Sequence, residues 1–319
     1  MKADGVTADG ATGGTLAGIG NTPAVRLQRL VEPGMAEVWV KLEGANPTGS
    51  YKDRMALAMI QGAERDGRLQ PGQPVVEYTG GSTGSSLAFV CAVKGYPLHI
   101  VTSDAFADEK LRTMEAFGAR LEVLPSPEGI TPELIPRMRA RAAELAASLG
   151  AYQTDQFRNT DMIEGYRLLG EEAAEQVPRT IDALCLYVGT AGCFLGVGRA
   201  LRERYPTMAR IAVEPGESAV LSGGPPGTHR IEGGGVGFRP ELLSPDEIDD
   251  VIAVPTEDAF AMARLATRRE GLFSGPSTGA NLVAALATAR RLGEGHRVLT
   301  AQVDSGLKYL AGPLFHDEV

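Results

Sequence analysis

Val75-Val76-Glu77-Tyr78-Thr79-Gly80-Gly81-Ser82-Thr83-Gly84 runs into the helical pattern of residues 85–94. A short, mostly apolar run, a glycine-rich turn and a helix make one βα unit. A near-continuous apolar run is what a strand covered on both faces needs. The unit then repeats. Residues 98–102 precede a helical stretch at 108–117, and 121–124 precede 132–149. Residues 184–188 lead through Gly189-Thr190-Ala191-Gly192-Cys193 into 194–204. Residues 252–254 precede 257–269, and 298–303 form one more run near the end. This alternation predicts an α/β fold with mostly parallel, twisted sheets and helices on both faces.

Local signals mark the helix edges. After Lys52, the apolar residues Ala56, Met59, Ile60 and Ala63 make an i, i+3, i+4, i+7 stripe. Gly67 stops that helix, with Pro71-Gly72 beyond, and Gly95 stops the next. Residues 1–14 are rich in Gly, Ala, Thr and Asp and read as a disordered tail.

At roughly 100–200 residues per domain, a chain of 319 residues suggests two domains or one large one. The net charge of −9, with no run of Lys or Arg, argues against a nucleic-acid partner and an anionic membrane surface. No stretch approaches the length of a membrane span, and no basic-then-apolar N-terminal signal is present. The cysteines are Cys91, Cys185 and Cys193, an odd count without C-x-x-C. They read as reduced thiols of a cytoplasmic protein.

Three glycine-rich segments, 80–84, 189–193 and 275–280, follow or flank predicted strands. Glycine lets backbone N–H groups converge, and a following helix N-terminus adds partial positive charge. Such loops hold phosphates and carboxylates. One such loop alone is equally an ordinary αβ turn; three together point to a phosphorylated ligand. No P-loop, G-x-G-x-x-G or H-E-x-x-H occurs, and the four His are scattered, so nucleotide and metal sites lack support. G-x-S-x-G, the mark of a hydrolase nucleophile elbow, occurs at 80–84, with Asp304 and His316 in the right order behind it. It occurs again at 275–279, and no H-G-G segment accompanies either copy, so the pattern carries little information.

Asn46-Pro47-Thr48-Gly49-Ser50-Tyr51-Lys52-Asp53-Arg54 places one Lys where a Gly/Pro loop turns into a helix. The positive helix end disfavours a second positive charge beside it. That suits an amine acting as a nucleophile in Schiff-base chemistry. Standing alone, the same placement also suits a surface lysine in a capping turn.

This segment, with Gly20-Asn21-Thr22-Pro23, Val25-Arg26-Leu27 and Val40-Lys41-Leu42-Glu43 before it, resembles the cysteine synthase / cystathionine β-synthase family. These are fold type II pyridoxal 5′-phosphate (PLP) enzymes, tryptophan synthase β-like. The resemblance continues through residues 77–84, Gly118-Ala119, 189–193, 212–215, 233–238, 275–280 and Asp304-Ser305-Gly306. It implies two αβα domains, a smaller substrate-loop domain at 48–157 and a larger PLP-binding one at 15–47 plus 158–319. It also implies a homodimer. Lys52 would hold PLP as an aldimine and shuttle the α-proton. Gly189, Thr190, Ala191, Gly192 and Cys193 would bind the phosphate, Ser82 would contact the cofactor ring oxygen, and Thr278 would meet the pyridine nitrogen. Thr79, Gly80, Gly81 and Thr83 would clamp the substrate carboxylate, helped by Gln156.

A neutral hydroxyl at the ring nitrogen disfavours transamination and suits β-elimination to an aminoacrylate. The implied reaction is β-replacement on O-acetyl- or O-phosphoserine with sulfide or another small nucleophile. The alternatives are a β-eliminating lyase of cysteine desulfhydrase or serine dehydratase type, and a catalytically idle relative that binds a partner. The substrate loop departs from the family's T-S-G-N-T-G at Gly80 and Ser82, and the phosphate loop from G-T-G-G-T at Ala191 and Cys193. Loss of a side chain at 80 is expected to open the loop and let water reach the reacting centre.

Overall fold

A computed structural model of the chain describes residues 14–106, 108–128, 131 and 133–316. The tail expected over 1–14 lies outside these residues except for Gly14. In chain order the elements begin with β1 (Ala24–Arg26), β2 (Glu37–Leu42), α1 (Lys52–Arg65), β3 (Val75–Tyr78), α2 (Ser82–Lys94) and β4 (Leu98–Ser103). Then come α3 (Asp108–Ala116), β5 (Arg120–Leu124), α4 (Leu134–Leu149), β6 (Tyr152–Gln153), α5 (Asp161–Gln176) and β7 (Ala183–Tyr187). The rest are α6 (Gly192–Arg204), β8 (Ala209–Pro215), β9 (Asp250–Val254), α7 (Thr256–Glu270), α8 (Pro276–Leu292) and β10 (Arg297–Gln302).

The chain divides into two compact units. The smaller holds the described residues up to Asn21 together with Asn46–Asp155. Its four-stranded sheet has the order β5-β4-β3-β6, parallel throughout. β3 is buried along its whole length, as its apolar run requires. Its one charged residue, Glu77, is satisfied inside: Oε1 accepts the Tyr78 N–H at 2.8 Å and Oε2 the Thr154 hydroxyl at 2.7 Å. The α1 stripe Ala56, Met59, Ile60 and Ala63 is fully buried. Gly67 and Gly95 sit just past α1 and α2 at φ 75° and 79°, left-handed positions that only glycine takes without cost.

The larger unit comprises Thr22–Ala45 and the chain from Gln156 onward. Its six-stranded sheet runs β1-β2-β10-β7-β8-β9, parallel except for the antiparallel edge strand β1. β7 and β10 are buried at every residue, which is what central strands covered on both faces demand. Small residues let α5 and α6 approach closely: a Cβ on Gly196 would lie 2.4 Å from the Ile163 carbonyl oxygen.

The units divide at 21/22, 45/46 and 155/156, so residues 15–21 fall with the smaller unit and not with the larger, where they were expected. Local bonding explains this. The Gly20 N–H donates to Asn46 Oδ1 at 2.9 Å. One residue later the allegiance changes: the Thr22 hydroxyl donates to Glu43 at 2.5 Å, and its carbonyl accepts from the buried Lys41 Nζ at 2.5 Å. Lys41 also pairs with Glu172 at 2.6 Å, which compensates its burial.

α8 contributes one buried polar side chain to the sheet. Asn281, at 0 % exposure, accepts the Tyr187 N–H at 2.6 Å and donates to the Ala301 carbonyl at 2.9 Å. It thereby joins the C-terminal ends of β7 and β10. Asn281→Ala orphans both backbone groups, each costing about 1–3 kcal/mol. The expected loss is about 2–5 kcal/mol of unfolding free energy in urea titration of the cofactor-free protein. A loss below about 0.5 kcal/mol would remove Asn281 from this role.

Candidate functional site

In the smaller unit, Lys52 is the first residue of α1 and is only 7 % exposed. Its approach loop is fixed by Asp53, which accepts the Thr48 N–H at 2.8 Å and the Thr48 hydroxyl at 2.5 Å. The Lys52 N–H points to Ser50 Oγ at 3.3 Å, and its Nζ lies 4.9 Å from the Tyr51 ring centre. Thr48 Oγ1 also stands 3.3 Å from Ser86 Oγ on α2. That contact brings the lysine loop beside the head of α2.

The segment 79–83 is the turn from β3 into α2. The Thr79 N–H extends the ladder to Val101 at 3.0 Å, and Thr79 Oγ1 accepts the Gly81 N–H at 3.1 Å. α2 starts at Ser82, so the first-turn N–H groups of a 13-residue helix point out of this turn. Thr79 and Thr83 are buried; Gly80, Gly81 and Ser82 are half-buried. The space where a side chain at 80 would stand is not open, as the sequence suggested. A Cβ there would fall 2.0 Å from Cγ of Phe106, so an aromatic ring has taken the place of the missing group. Beneath the turn, burial and the Glu77 and Asp155 carboxylates push the Tyr78 hydroxyl far above its ordinary range. It stays protonated and reaches Asp155 Oδ1 at 3.3 Å.

The larger unit carries the other candidates. Gln156, buried, is its first residue after Asp155. β7 leads through Val188-Gly189-Thr190-Ala191 into α6, which starts at Gly192. Ala191 holds a left-handed φ of 72°, which turns the chain into the helix. Gly189 is required by its neighbour, because a Cβ there would lie 2.6 Å from the Gly233 carbonyl oxygen. Gly192 is crowded likewise by Met162, 2.6 Å from Sδ. The Gly235 N–H donates to the Val188 carbonyl at 3.1 Å, and the Tyr187 hydroxyl to Ile231 at 3.0 Å, so 231–235 brace the turn. His229 Nδ1 faces the Ile231 N–H at 3.2 Å, which leaves the proton on Nε2 to meet the Gly235 carbonyl at 2.8 Å.

Thr278 lies in the first turn of α8, and its hydroxyl oxygen accepts the Val303 N–H at 3.0 Å. Its neighbour Ser277, which the sequence did not single out, is 1 % exposed, and its Oγ has no hydrogen-bond partner among the described residues. An unpaired buried hydroxyl costs about 1–3 kcal/mol, so it marks a place where a polar group belongs. A Cβ on Gly233 would lie 3.9 Å from this Oγ. Gly233 therefore stands between Gly189 and Ser277, with an N-terminal helix turn for an anion on one side and an orphaned neutral hydroxyl on the other. This fits PLP, whose phosphate and pyridine nitrogen need those two kinds of partner. Among the described residues, no group of three or more His, Cys, Asp or Glu is placed to hold a metal ion. Among the same residues, no helix is long and apolar enough to cross a membrane.

The family model described as pyridoxal-phosphate dependent enzyme matches residues 15–302. A cysteine synthase from Staphylococcus aureus (strain Mu50 / ATCC 700699) is 41% identical over 299 residues, 93% of this chain and 95% of that protein. The crystal structure of an O-ureido-L-serine synthase superposes with a TM-score of 0.90 at 34% identity, covering 96% of this chain and 95% of that one. An O-acetyl serine sulfhydrylase isoform 3 from Entamoeba histolytica gives 0.89 at 35% identity, covering 96% and 92%. The chain therefore belongs to the cysteine synthase family of fold type II, PLP-dependent enzymes.

Proposed function

We propose that the chain catalyses β-replacement on an O-activated serine, of O-acetyl or O-phospho type, with sulfide or another small nucleophile, giving cysteine or an analogue. The observation that carries the reading is the neutral, buried, unpartnered hydroxyl of Ser277 beside the 189–192 turn. A carboxylate would hold a ring nitrogen in its protonated form and favour transamination; a hydroxyl does not, and so favours loss of a β-substituent. The activities named for the cysteine synthase and sulfhydrylase relatives support the same reaction.

When bound, PLP supplies an aldehyde for amine capture and an electron-withdrawing ring. In this reading Lys52 would hold the aldehyde, and its Nζ would carry the proton from the substrate Cα. Gly189, Thr190, Ala191, Gly192 and Cys193 receive the phosphate on N–H groups and hydroxyls. Ser277, in preference to Thr278, meets the ring nitrogen, because the Thr278 oxygen already serves Val303. Ser82 takes the ring oxygen. Thr79, Gly80, Gly81 and Thr83 bind the substrate carboxylate at the α2 N-terminus, with Gln156 assisting. The reading includes a cytoplasmic homodimer, the dimer being carried over from the family resemblance. All three cysteines are buried thiols outside any disulfide, which suits a reducing compartment. Burial pushes the Cys91 and Cys185 thiols up to about 12, so neither serves as a nucleophile at neutral pH.

Borohydride reduction of the holoenzyme followed by peptide mapping should place the reduced cofactor on Lys52, and Lys52→Ala should abolish turnover. An adduct on another lysine removes Lys52 from the assignment.

The two neighbouring hydroxyls separate by paired readouts. Ser277→Ala should not destabilise the cofactor-free protein, and by removing the unpaired hydroxyl should stabilise it by up to about 1–3 kcal/mol, while shifting the visible band of bound PLP. Thr278→Val should cost about 1–3 kcal/mol by orphaning the Val303 N–H. An unaltered cofactor spectrum in Ser277→Ala returns the ring nitrogen to Thr278.

Replacement and elimination part where a nucleophile does or does not reach the β-carbon. With O-acetylserine or O-phosphoserine, added sulfide should turn the output from pyruvate to cysteine. Pyruvate formation that ignores sulfide would install the lyase instead.

A further inference from the structure

Two glycines stand side by side at the head of α2, and their surroundings differ. A Cβ added to Gly81 meets nothing within 4 Å. One added to Gly80 falls 2.0, 2.1 and 2.3 Å from Cγ, Cδ2 and Cδ1 of Phe106. Gly80 is not among the glycines with left-handed φ, so the ring alone, not backbone conformation, demands glycine there. Phe106 follows β4, and its N–H bonds back to the Ser103 carbonyl at 3.3 Å. β4 is the parallel neighbour of β3, in register from Val75↔Leu98 to Tyr78↔Val101. Ring and turn therefore emerge at the same C-terminal edge of the sheet, where open α/β sheets bind ligands. The ring is half-buried, so it packs on Gly80 without being enclosed.

We propose that Phe106 is a specificity-determining residue of the amino-acid site. Its ring replaces the side chain that residue 80 lacks and sets an aromatic wall against Gly80 in the 79–83 turn. The inference rests on the reading of 79–83 as the carboxylate turn. Thr79, Ser82, Thr83 and the α2 N–H groups supply polarity for a carboxylate, while the wall supplies none. An aromatic face carries partial negative charge, and an anion pressed against it loses hydration without gaining a partner. The wall thus favours activated serines with an uncharged, methyl-bearing leaving group over those with a phosphate dianion.

The test uses holoenzyme with O-acetyl-L-serine and O-phospho-L-serine. Affinity is read from the cofactor band, and kcat and KM from assays with sulfide. Wild type should prefer the acetyl ester by about tenfold or more. Phe106→Ala should erode that preference, chiefly through KM, and Phe106→Leu should keep most of it. Gly80→Ser should weaken both ligands, and adding Phe106→Ala should restore them. Gly81→Ser should have the same effect with or without Phe106→Ala. Equal binding of both esters by wild type overturns the proposal. So does a preference unmoved by Phe106→Ala, or a Gly80→Ser/Phe106→Ala variant no better than Gly80→Ser. Selective binding of the acetyl ester with no product from sulfide upholds the wall and sinks the replacement reading instead.

Discussion

Asn281 is the constraint on which the C-terminal edge of the larger unit's sheet depends. β10 and β7 are paired in register only at Val298↔Ala183 and Leu299↔Leu184. Beyond that point the ladder is continued by side chains: the Thr300 hydroxyl reaches the Cys185 carbonyl at 2.7 Å, and Asn281 spans Tyr187 and Ala301. The strand order explains the need. From β7 the chain proceeds through β8 and β9 on one side, while β10 joins on the other. That reversal is a topological switch point, where loops leave in opposite directions and a crevice opens beyond the strand ends. The 188–192 turn leaves from β7, and Thr278 reaches Val303 just past β10. The smaller unit repeats the arrangement on its own terms. β3 continues through β4 to β5, β6 lies on the other side, and residues 79–83 leave from the reversal.

Both turns end on a helix N-terminus, so their attraction for anions comes from backbone N–H groups and not from a basic side chain. That agrees with a chain whose net charge is −9 yet whose family binds a phosphorylated cofactor. The backbone must be held tightly for this to work, because N–H groups converge only in one conformation. Gly189 is pinned by the Gly233 carbonyl, and Ala191 accepts a left-handed φ that costs an alanine about 1–2 kcal/mol. Alanine returns part of that cost by limiting the freedom of the unfolded chain. The strain sits in the turn that leads β7 into α6, and strained backbone commonly clusters at functional sites.

The strands and helices were legible wherever one physical signal dominated. Apolar runs located β4, β5, β7, β9 and β10, and the stripe after Lys52 located α1. α8 is not legible as a helix in the sequence, because its glycine-rich start at 275–280 reads as a loop and its apolar surface faces the core on nearly every side. β6 is two residues long, below any periodicity. In the site, residue types were legible and contacts were not. Nothing in Ser277-Thr278 says which hydroxyl is already engaged; that is decided by Val303, a strand away. Likewise, Gly80 reads as an absence, and only the fold supplies the ring that fills it.

Glycine content was the strongest compositional signal of the chain, yet its positions serve unlike ends. Gly67 and Gly95 are there for a backbone angle. Gly189 makes room for another backbone segment, and Gly80 makes room for a ring. These differ in how evolution can undo them. A left-handed position accepts only a few residue types regardless of surroundings. A position crowded by backbone cannot relax without moving the fold. A position crowded by one half-buried side chain relaxes when that side chain shrinks. Gly80 is of this last kind, so its identity and that of Phe106 must vary together. The shape of the 79–83 turn can then change by two substitutions while the first-turn N–H groups of α2 stay in place.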